Sequence, residues 1–175
     1  MTFLPHLLIG GAAASIFYKK NSPGWELMAL QVAGAIGGIL PDIPNMYLGC
    51  RNLKRGIDVF AYPGTCVPYW DTILHALIFW LSFLFLIQIL KDDRYKKLYL
   101  AFAMGAILHS IGDLMSHYGQ DIFNKVFWPL VIDWDGGLWN PWPGRLSHLG
   151  FAIDLLISIA SGQVIIRRWR EQRIK

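Results

Sequence analysis

The sequence predicts an all-α protein, a polytopic membrane bundle of about five hydrophobic segments with a Trp-rich interfacial loop. Three observations lead to this fold class. The 175 residues are 54% hydrophobic and only 16% charged, which is unusually apolar for a soluble domain. The apolar residues form runs separated by short charged clusters. Eight Trp, seven Tyr and ten Phe suit a chain whose rings lie at a water–lipid interface. We expect one domain over residues 1–175.

The predicted segments, in chain order, cover residues 3–17, 25–48, 72–90, 98–118 and 147–166. The first run is short and lacks a basic leader and a cleavage pattern, so we expect it to be retained as a membrane segment. The second contains VAGAIGGIL, which favours close contact between helices. Pro41 and Pro44 follow it and predict that its helix ends or breaks there. The third run is long enough to cross about 30 Å of hydrocarbon.

Positive charge predicts an orientation for these segments. Eleven Lys and Arg residues lie in the tail and in the connections that would share its side, against five on the other side. The positive-inside rule therefore predicts an inner-membrane protein with its N-terminus outside and its C-terminus in the cytoplasm. The net charge of +4 belongs mostly to clusters beside apolar runs, so we expect no nucleic-acid partner.

Histidines and aspartates recur at the outer ends of the predicted segments. They are His6, Asp42, His75, His109, Asp113, His117, His148 and Asp154. Ionisable side chains inside a membrane are costly unless they are paired, hydrated or bound to metal. Their convergence at one depth from several segments predicts a shared site.

The stretch GAILHSIGDLMSHYG places His109, Asp113 and His117 four residues apart, on one face of a helix. Imidazole and carboxylate are natural ligands for zinc and similar divalent ions such as manganese. The predicted metal residues are His6, Asp42, His75, His109, Asp113 and His148. His117 and Asp154 are interpreted as partners that orient ligand imidazoles, and Asp71 as a helix cap close to the site. Such a pair on a helix can also be a plain hydrogen bond between helices, and Asp42 can be a plain cap.

Two loops are predicted on the same side as the histidines. Residues 119–146 contain four Trp and are broken by Gly and Pro, which indicates an interfacial anchor or a lid over the site. Residues 49–71 contain Cys50 and Cys66, which would pair only if that side is oxidising.

Four motifs together resemble a family of bacterial inner-membrane metal-dependent hydrolases, some described as LexA-binding. The motifs are PHLLIG, GGILPDIPN, DTILHALIFW and GAILHSIGDLMSHYG followed by FWPL. The resemblance implies a distant similarity to zinc-dependent phospholipase C and P1 nuclease. It implies metal ligation by His6, Asp42, His75, His109 and Asp113, the residues that match the motifs. The chain departs from the family pattern at Pro44, where a second acid would follow LPD, and in the sequence before His75.

The leading hypothesis is a membrane-bound hydrolase of a lipid or lipid-linked phosphoester, with Asp42 or Asp113 as base to the attacking water. Arg51 or Arg145 would contact the phosphate or be plain interfacial charges. A transporter is an alternative, but it predicts polar residues continuing to the inner side. A further alternative is a scaffold or regulator with a structural metal, whose basic tail RRWREQRIK binds a partner or anionic lipid.

Overall fold

A computed structural model describes residues 3–19, 22–43, 73–116, 126–127, 129 and 147–173. Within those ranges the chain forms helices and no strand, so the all-α prediction is confirmed. The α-helices are α1 (Phe3–Ala14), α2 (Gly24–Ile39), α3 (Leu77–Ile87), α4 (Asp93–Ser116) and α5 (Ser147–Arg173). Short 3₁₀ turns follow α1 at Ser15–Phe17 and α2 at Leu40–Asp42.

Helices α1, α2 and α4 pack against one another through glycines. A Cβ on Gly10 or on Gly105 would collide with the main-chain oxygen of Gly34, and a Cβ on Gly37 would collide with that of Phe102. The backbones can approach this closely only because these residues lack side chains. The predicted close contact of the Gly-rich second segment is confirmed.

The end of α2 also follows the prediction from proline. The helix stops at Ile39, and the 3₁₀ turn that follows contains Pro41. Proline cannot donate the hydrogen bond that a continuing helix needs. The turn carries Asp42 to the end of the bundle where α1 begins, since Gly38 lies against the main chain of His6.

Trp80 fixes α3 against α4. Its ring is 2% exposed and packs with Ile87, Ala103 and Ala106. Its Nε1–H donates to the carbonyl oxygen of Leu74 at 2.7 Å. This hydrogen bond ties the residues just before α3, next to His75, to the helix.

Helix α5 is attached to α1 and α2 by a chain of hydrogen bonds. The indole Nε1–H of Trp169 donates to Gln31 Oε1 at 2.9 Å, and Gln31 Nε2 donates to the Ser15 hydroxyl at 3.1 Å. The Ser15 hydroxyl donates to the Gly11 carbonyl at 3.3 Å. Each of these groups is satisfied, which buried polar groups require.

The prediction of five crossing segments, with its inside and outside assignment, is not confirmed. Within the described residues, no helix combines the length and hydropathy that a bilayer crossing demands. Helices α1 and α3 have 12 and 11 residues, where about 20 are needed. Helix α4 starts five residues before the predicted segment and takes in charged residues, and α5 continues through the basic tail.

Candidate metal centre

His109 and Asp113 form the centre of the site on α4. They are one helical turn apart, and His109 Nε2 lies 3.1 Å from Asp113 Oδ2. Both residues are buried, at 1% and 3% exposure. The predicted pairing of these two residues on one helix face is confirmed in the structure.

His75 reaches this pair because the third predicted segment is interrupted. Ala76 has an extended backbone (φ −68°, ψ 119°), and α3 starts only at Leu77. A continuous helix over residues 72–90 is therefore a wrong prediction. The interruption leaves His75 Nε2 3.2 Å from His109 Nε2 and 3.4 Å from Asp113 Oδ2.

His6 adds a third imidazole from the first turn of α1. Its Nε2 lies 3.0 Å from Asp113 Oδ1, and its ring is tilted by 33° over that of His109 with centroids 3.9 Å apart. The residue is 2% exposed. Among the described residues, neither ring nitrogen of His6 has a well-aligned hydrogen bond. His6 lies beside the four described residues whose donor atoms could surround one ion and is not one of them, so its role as a metal ligand stays a prediction.

Asp42 completes the cluster from the 3₁₀ turn after α2. Its Oδ1 lies 3.7 Å from His109 Nε2, and its side chain is 27% exposed. Asp42 is therefore the member of the cluster that solvent reaches most readily. The other four members are nearly closed off.

Gly38 determines which nitrogen of His109 faces the cluster. His109 Nδ1 lies 2.8 Å from the Gly38 carbonyl oxygen. A carbonyl can only accept, so Nδ1 carries the proton and neutral His109 presents the lone pair of Nε2. This nitrogen lies 3.2 Å from His75 Nε2, 3.7 Å from Asp42 Oδ1 and 3.1 Å from Asp113 Oδ2.

These donors fit a divalent cation. One donor atom each from Asp42, His75, His109 and Asp113 lies within 4.8 Å of the others. Two imidazoles and two carboxylates are common ligands of divalent metals, and the carbonyl behind His109 is the kind of partner that orients metal-bound histidine. A cation would also offset the cost of burying the Asp113 carboxylate.

Several predicted residues fall outside the described part of the chain. Asp71, His117, Cys50, Cys66, Arg51 and Arg145 lie there, as does nearly all of the Trp-rich loop 119–146. His148 and Asp154 lie on the first turns of α5, but their side chains are also outside the described part. Sequence reasoning missed Gly38, because a main-chain carbonyl 71 residues from its histidine leaves no pattern in side-chain types.

Comparison with known proteins gives one family. The model of the family described as YdjM inner membrane protein matches residues 1–173. Neither a curated protein nor a solved structure matches the chain. The predicted resemblance to a bacterial inner-membrane family is confirmed at that level. The comparisons give no support for its extension to hydrolases, phospholipase C or P1 nuclease.

Proposed function

The chain belongs to the YdjM inner membrane protein family, and we propose that it is a membrane-embedded, metal-dependent phosphoester hydrolase. The observation that carries the proposal is the meeting of three buried imidazoles with Asp113 and the more accessible Asp42. The proposed substrate is a lipid or lipid-linked phosphoester at the outer face of the cytoplasmic membrane.

The exposed apolar side chains support a lipid environment. On α2, Trp25, Met28, Val32 and Ile36 form a stripe in which each residue is about half exposed. On α3, Phe85 is 74% exposed. Exposing apolar surface to water costs roughly 25 cal/mol per Å². Contact with lipid chains would remove this free-energy cost from the large apolar groups. We propose that these faces contact hydrocarbon, with the N-terminus outside and the C-terminus in the cytoplasm.

His75, His109 and Asp113 are the proposed holders of a divalent ion, zinc first and manganese second, and Asp42 is a weaker fourth donor at the exposed edge of the cluster. Such an ion supplies a Lewis acid that polarises a phosphoryl oxygen and lowers the pKa of bound water. The Gly38 carbonyl keeps the His109 proton on Nδ1, so that Nε2 is available as a ligand atom. The ring of His6 covers His109 and limits the access of water from that side.

Asp42 is the proposed proton acceptor. Its carboxylate is the partly exposed member of the cluster and lies farther from His109 Nε2 than Asp113 does, at 3.7 Å against 3.1 Å. A base must exchange its proton with solvent, and the partial exposure of the Asp42 carboxylate allows this exchange. Asp113 lies among the three imidazoles and is assigned to holding the ion.

A non-catalytic regulator with a structural metal is the second candidate. The observation in its favour is the near-complete burial of His6, His75 and His109, since structural metal sites are closed while catalytic ones keep an open position. The two candidates differ in one measurable property, which is turnover by the metal-loaded protein.

The test uses full-length protein purified in a neutral detergent. Elemental analysis is expected to find a bound divalent metal, and the variant with His109→Gln and Asp113→Asn is expected to lose it. Asp93→Asn, at the exposed start of α4, is the matched control and should keep the metal. Phosphodiester and lipid substrates are then screened with added zinc or manganese. Absence of metal from the parent protein would refute both candidates, whereas metal without turnover would favour the regulator.

A further inference from the structure

The end of the bundle opposite the metal centre is strongly basic. Lys97 Nζ, near the start of α4, lies 2.6 Å from Glu26 Oε1 at the start of α2, and the Arg94 guanidinium lies 5.7 Å from the centre of the Trp25 ring. The last turns of α5 reach the same end, as Gly24 lies close to the side chain of Gln172. The described basic residues gathered there are Lys19, Lys91, Arg94, Lys96, Lys97, Arg167, Arg168 and Arg170.

The acidic residues at this end are fewer: Glu26, Asp92, Asp93 and Glu171 lie there against eight described basic residues. Glu26 accepts from Lys97, and Glu171 lies 3.0 Å from Arg167 and 3.5 Å from Arg168. The carboxylate of Asp92 accepts from the main-chain N–H of Arg94. Among the described residues, Lys91, Lys96 and Arg170 form no ion pair, which leaves an excess of positive charge.

The surroundings of these cations indicate the kind of anion they meet. Exposed aromatic side chains lie beside them: Trp25 at 52%, Tyr95 at 55% and Tyr99 at 45%. The exposed apolar stripe of α2 continues directly from Trp25 toward the metal centre. The same order is found across the headgroup region of a membrane, where charged residues are followed by aromatic rings and then by apolar side chains.

We propose that this basic end binds the phosphate headgroups of anionic phospholipids, with Arg170 and the guanidinium N–H groups of Arg167 and Arg168 that do not face Glu171 as the main donors. Side chains of Arg167 and Arg168 are 82% and 44% exposed, and guanidinium pairs with phosphate through two parallel hydrogen bonds. Basic clusters beside membrane segments bind anionic lipid in this way. The proposal depends on membrane residence and is independent of hydrolysis at the other end.

The test compares lipids that differ only in headgroup charge. Full-length protein in neutral detergent is mixed with phosphatidylglycerol or with phosphatidylcholine of the same acyl chains, in EDTA so that the metal centre makes no contribution. Phosphatidylglycerol is expected to raise the melting temperature, and the rise should shrink as salt is added. Phosphatidylcholine and inorganic phosphate should leave the melting temperature unchanged. Equal rises with both lipids, or an equal rise with inorganic phosphate, would overturn the proposal.

Three variants locate the effect. The variant with Arg167→Gln, Arg168→Gln and Arg170→Gln should lose most of the rise, and the corresponding triple replacement by Lys should retain most of it. The single variant Arg170→Glu, at an exposed position, serves if the triple Gln variant does not fold, and it should bind fewer phosphatidylglycerol molecules by native mass spectrometry. An undiminished response in these neutralised or reversed variants would place the lipid elsewhere and refute the assignment.

Discussion

The imidazole of His109 donates from Nδ1 to the main-chain carbonyl of Gly38 across 2.8 Å. This contact joins α4 to the end of α2 and sets the orientation of the ring at the centre of the proposed metal site. A second contact requires glycine at position 38, because a Cβ there would collide with the main-chain oxygen of His6. One residue thus serves both the packing of α1 against α2 and the chemistry of His109.

Gly38→Ala is expected to destabilise the protein by about 1–3 kcal/mol, as overpacking does, because α1 must move away. The same movement disturbs the partner of His109, so metal affinity should fall by about 10–100-fold. Thermal melting and metal titration measure the two effects. Gly162→Ala is the matched control, because nothing lies within 4 Å of its added Cβ. The control should stabilise α5 by up to about 1 kcal/mol. Unchanged metal affinity in Gly38→Ala would contradict the role of the carbonyl.

Removal of metal is expected to lower the melting temperature. A ligand that binds only the folded state, at 100 times its dissociation constant, stabilises by about 2.7 kcal/mol, or roughly 5–10 °C for a chain of this length. The measurement compares detergent-solubilised protein in EDTA with the same protein in zinc. Asp113→Asn should abolish the difference, since its carboxylate faces all three imidazoles. If zinc raises the melting temperature of that variant equally, the metal binds elsewhere.

Asp42→Asn and Asp113→Asn are expected to differ in their effects. Asp42→Asn removes the proposed base from the exposed edge, so turnover should fall by about 10²–10⁴-fold while metal is retained with weaker affinity. Asp113→Asn should lose the metal itself. Metal content and phosphodiester hydrolysis, measured on the same preparations, separate the two roles. Loss of metal from both variants alike would make Asp42 a ligand of equal weight and remove it as the base.

Trp169→Phe is expected to loosen α5 from the bundle. It removes the indole donor and leaves the buried amide oxygen of Gln31 without its partner, at a cost of about 1–3 kcal/mol. Trp25→Phe is the matched control, because Trp25 is 52% exposed and should change stability by less than about 0.5 kcal/mol. Thermal unfolding of both variants gives the comparison. Equal stability of the two variants would show that the Trp169 hydrogen bond contributes nothing.

The ion pair of Glu26 with Lys97 is expected to give a pH-dependent contribution to stability. Lys97 Nζ donates to Glu26 Oε1 at 2.6 Å, and this charge-assisted hydrogen bond requires an ionised carboxylate. The stabilisation should therefore be lost as the pH falls into the acidic range and the carboxylate is protonated. Glu26→Gln should flatten melting temperature against pH in that range. Glu171→Gln, in an exposed pair, should leave the curve unchanged.

Much of the site could be predicted because side-chain type carries its signal. His109 and Asp113 have helical spacing, and the cost of burying charge suggested that His6, Asp42 and His75 would join them. Pro41 predicted the end of α2 for a similarly local reason. The structure brings all five residues together.

Other features depend on contacts that the sequence pattern does not contain. The run around His75 is uniformly apolar, so nothing in its composition marked the extended Ala76 that turns this histidine inward. The Gln31–Trp169 hydrogen bond joins residues 138 positions apart. The Gly38 carbonyl belongs to the main chain, so the pattern of side-chain types does not predict its contact with His109. The first three segments were predicted too long, because hydrophobic runs continue past the points where hydrogen bonding ends the helix, as at Ile39. The last two were predicted too short, because α4 and α5 include charged residues that the hydrophobic runs exclude.

The main-chain contacts of Gly10, Gly34 and Gly105 have a consequence for how this protein can vary. They join α1, which carries His6, α2, which leads into the turn with Asp42, and α4, which carries His109. The spacing of these helices at their contact is therefore limited by peptide groups in direct contact. Substitutions among the outward-facing Leu, Ile and Phe residues should therefore have little effect on the distances within the cluster. Related chains could diverge widely over their outer surfaces and still hold the same arrangement of imidazoles and carboxylates.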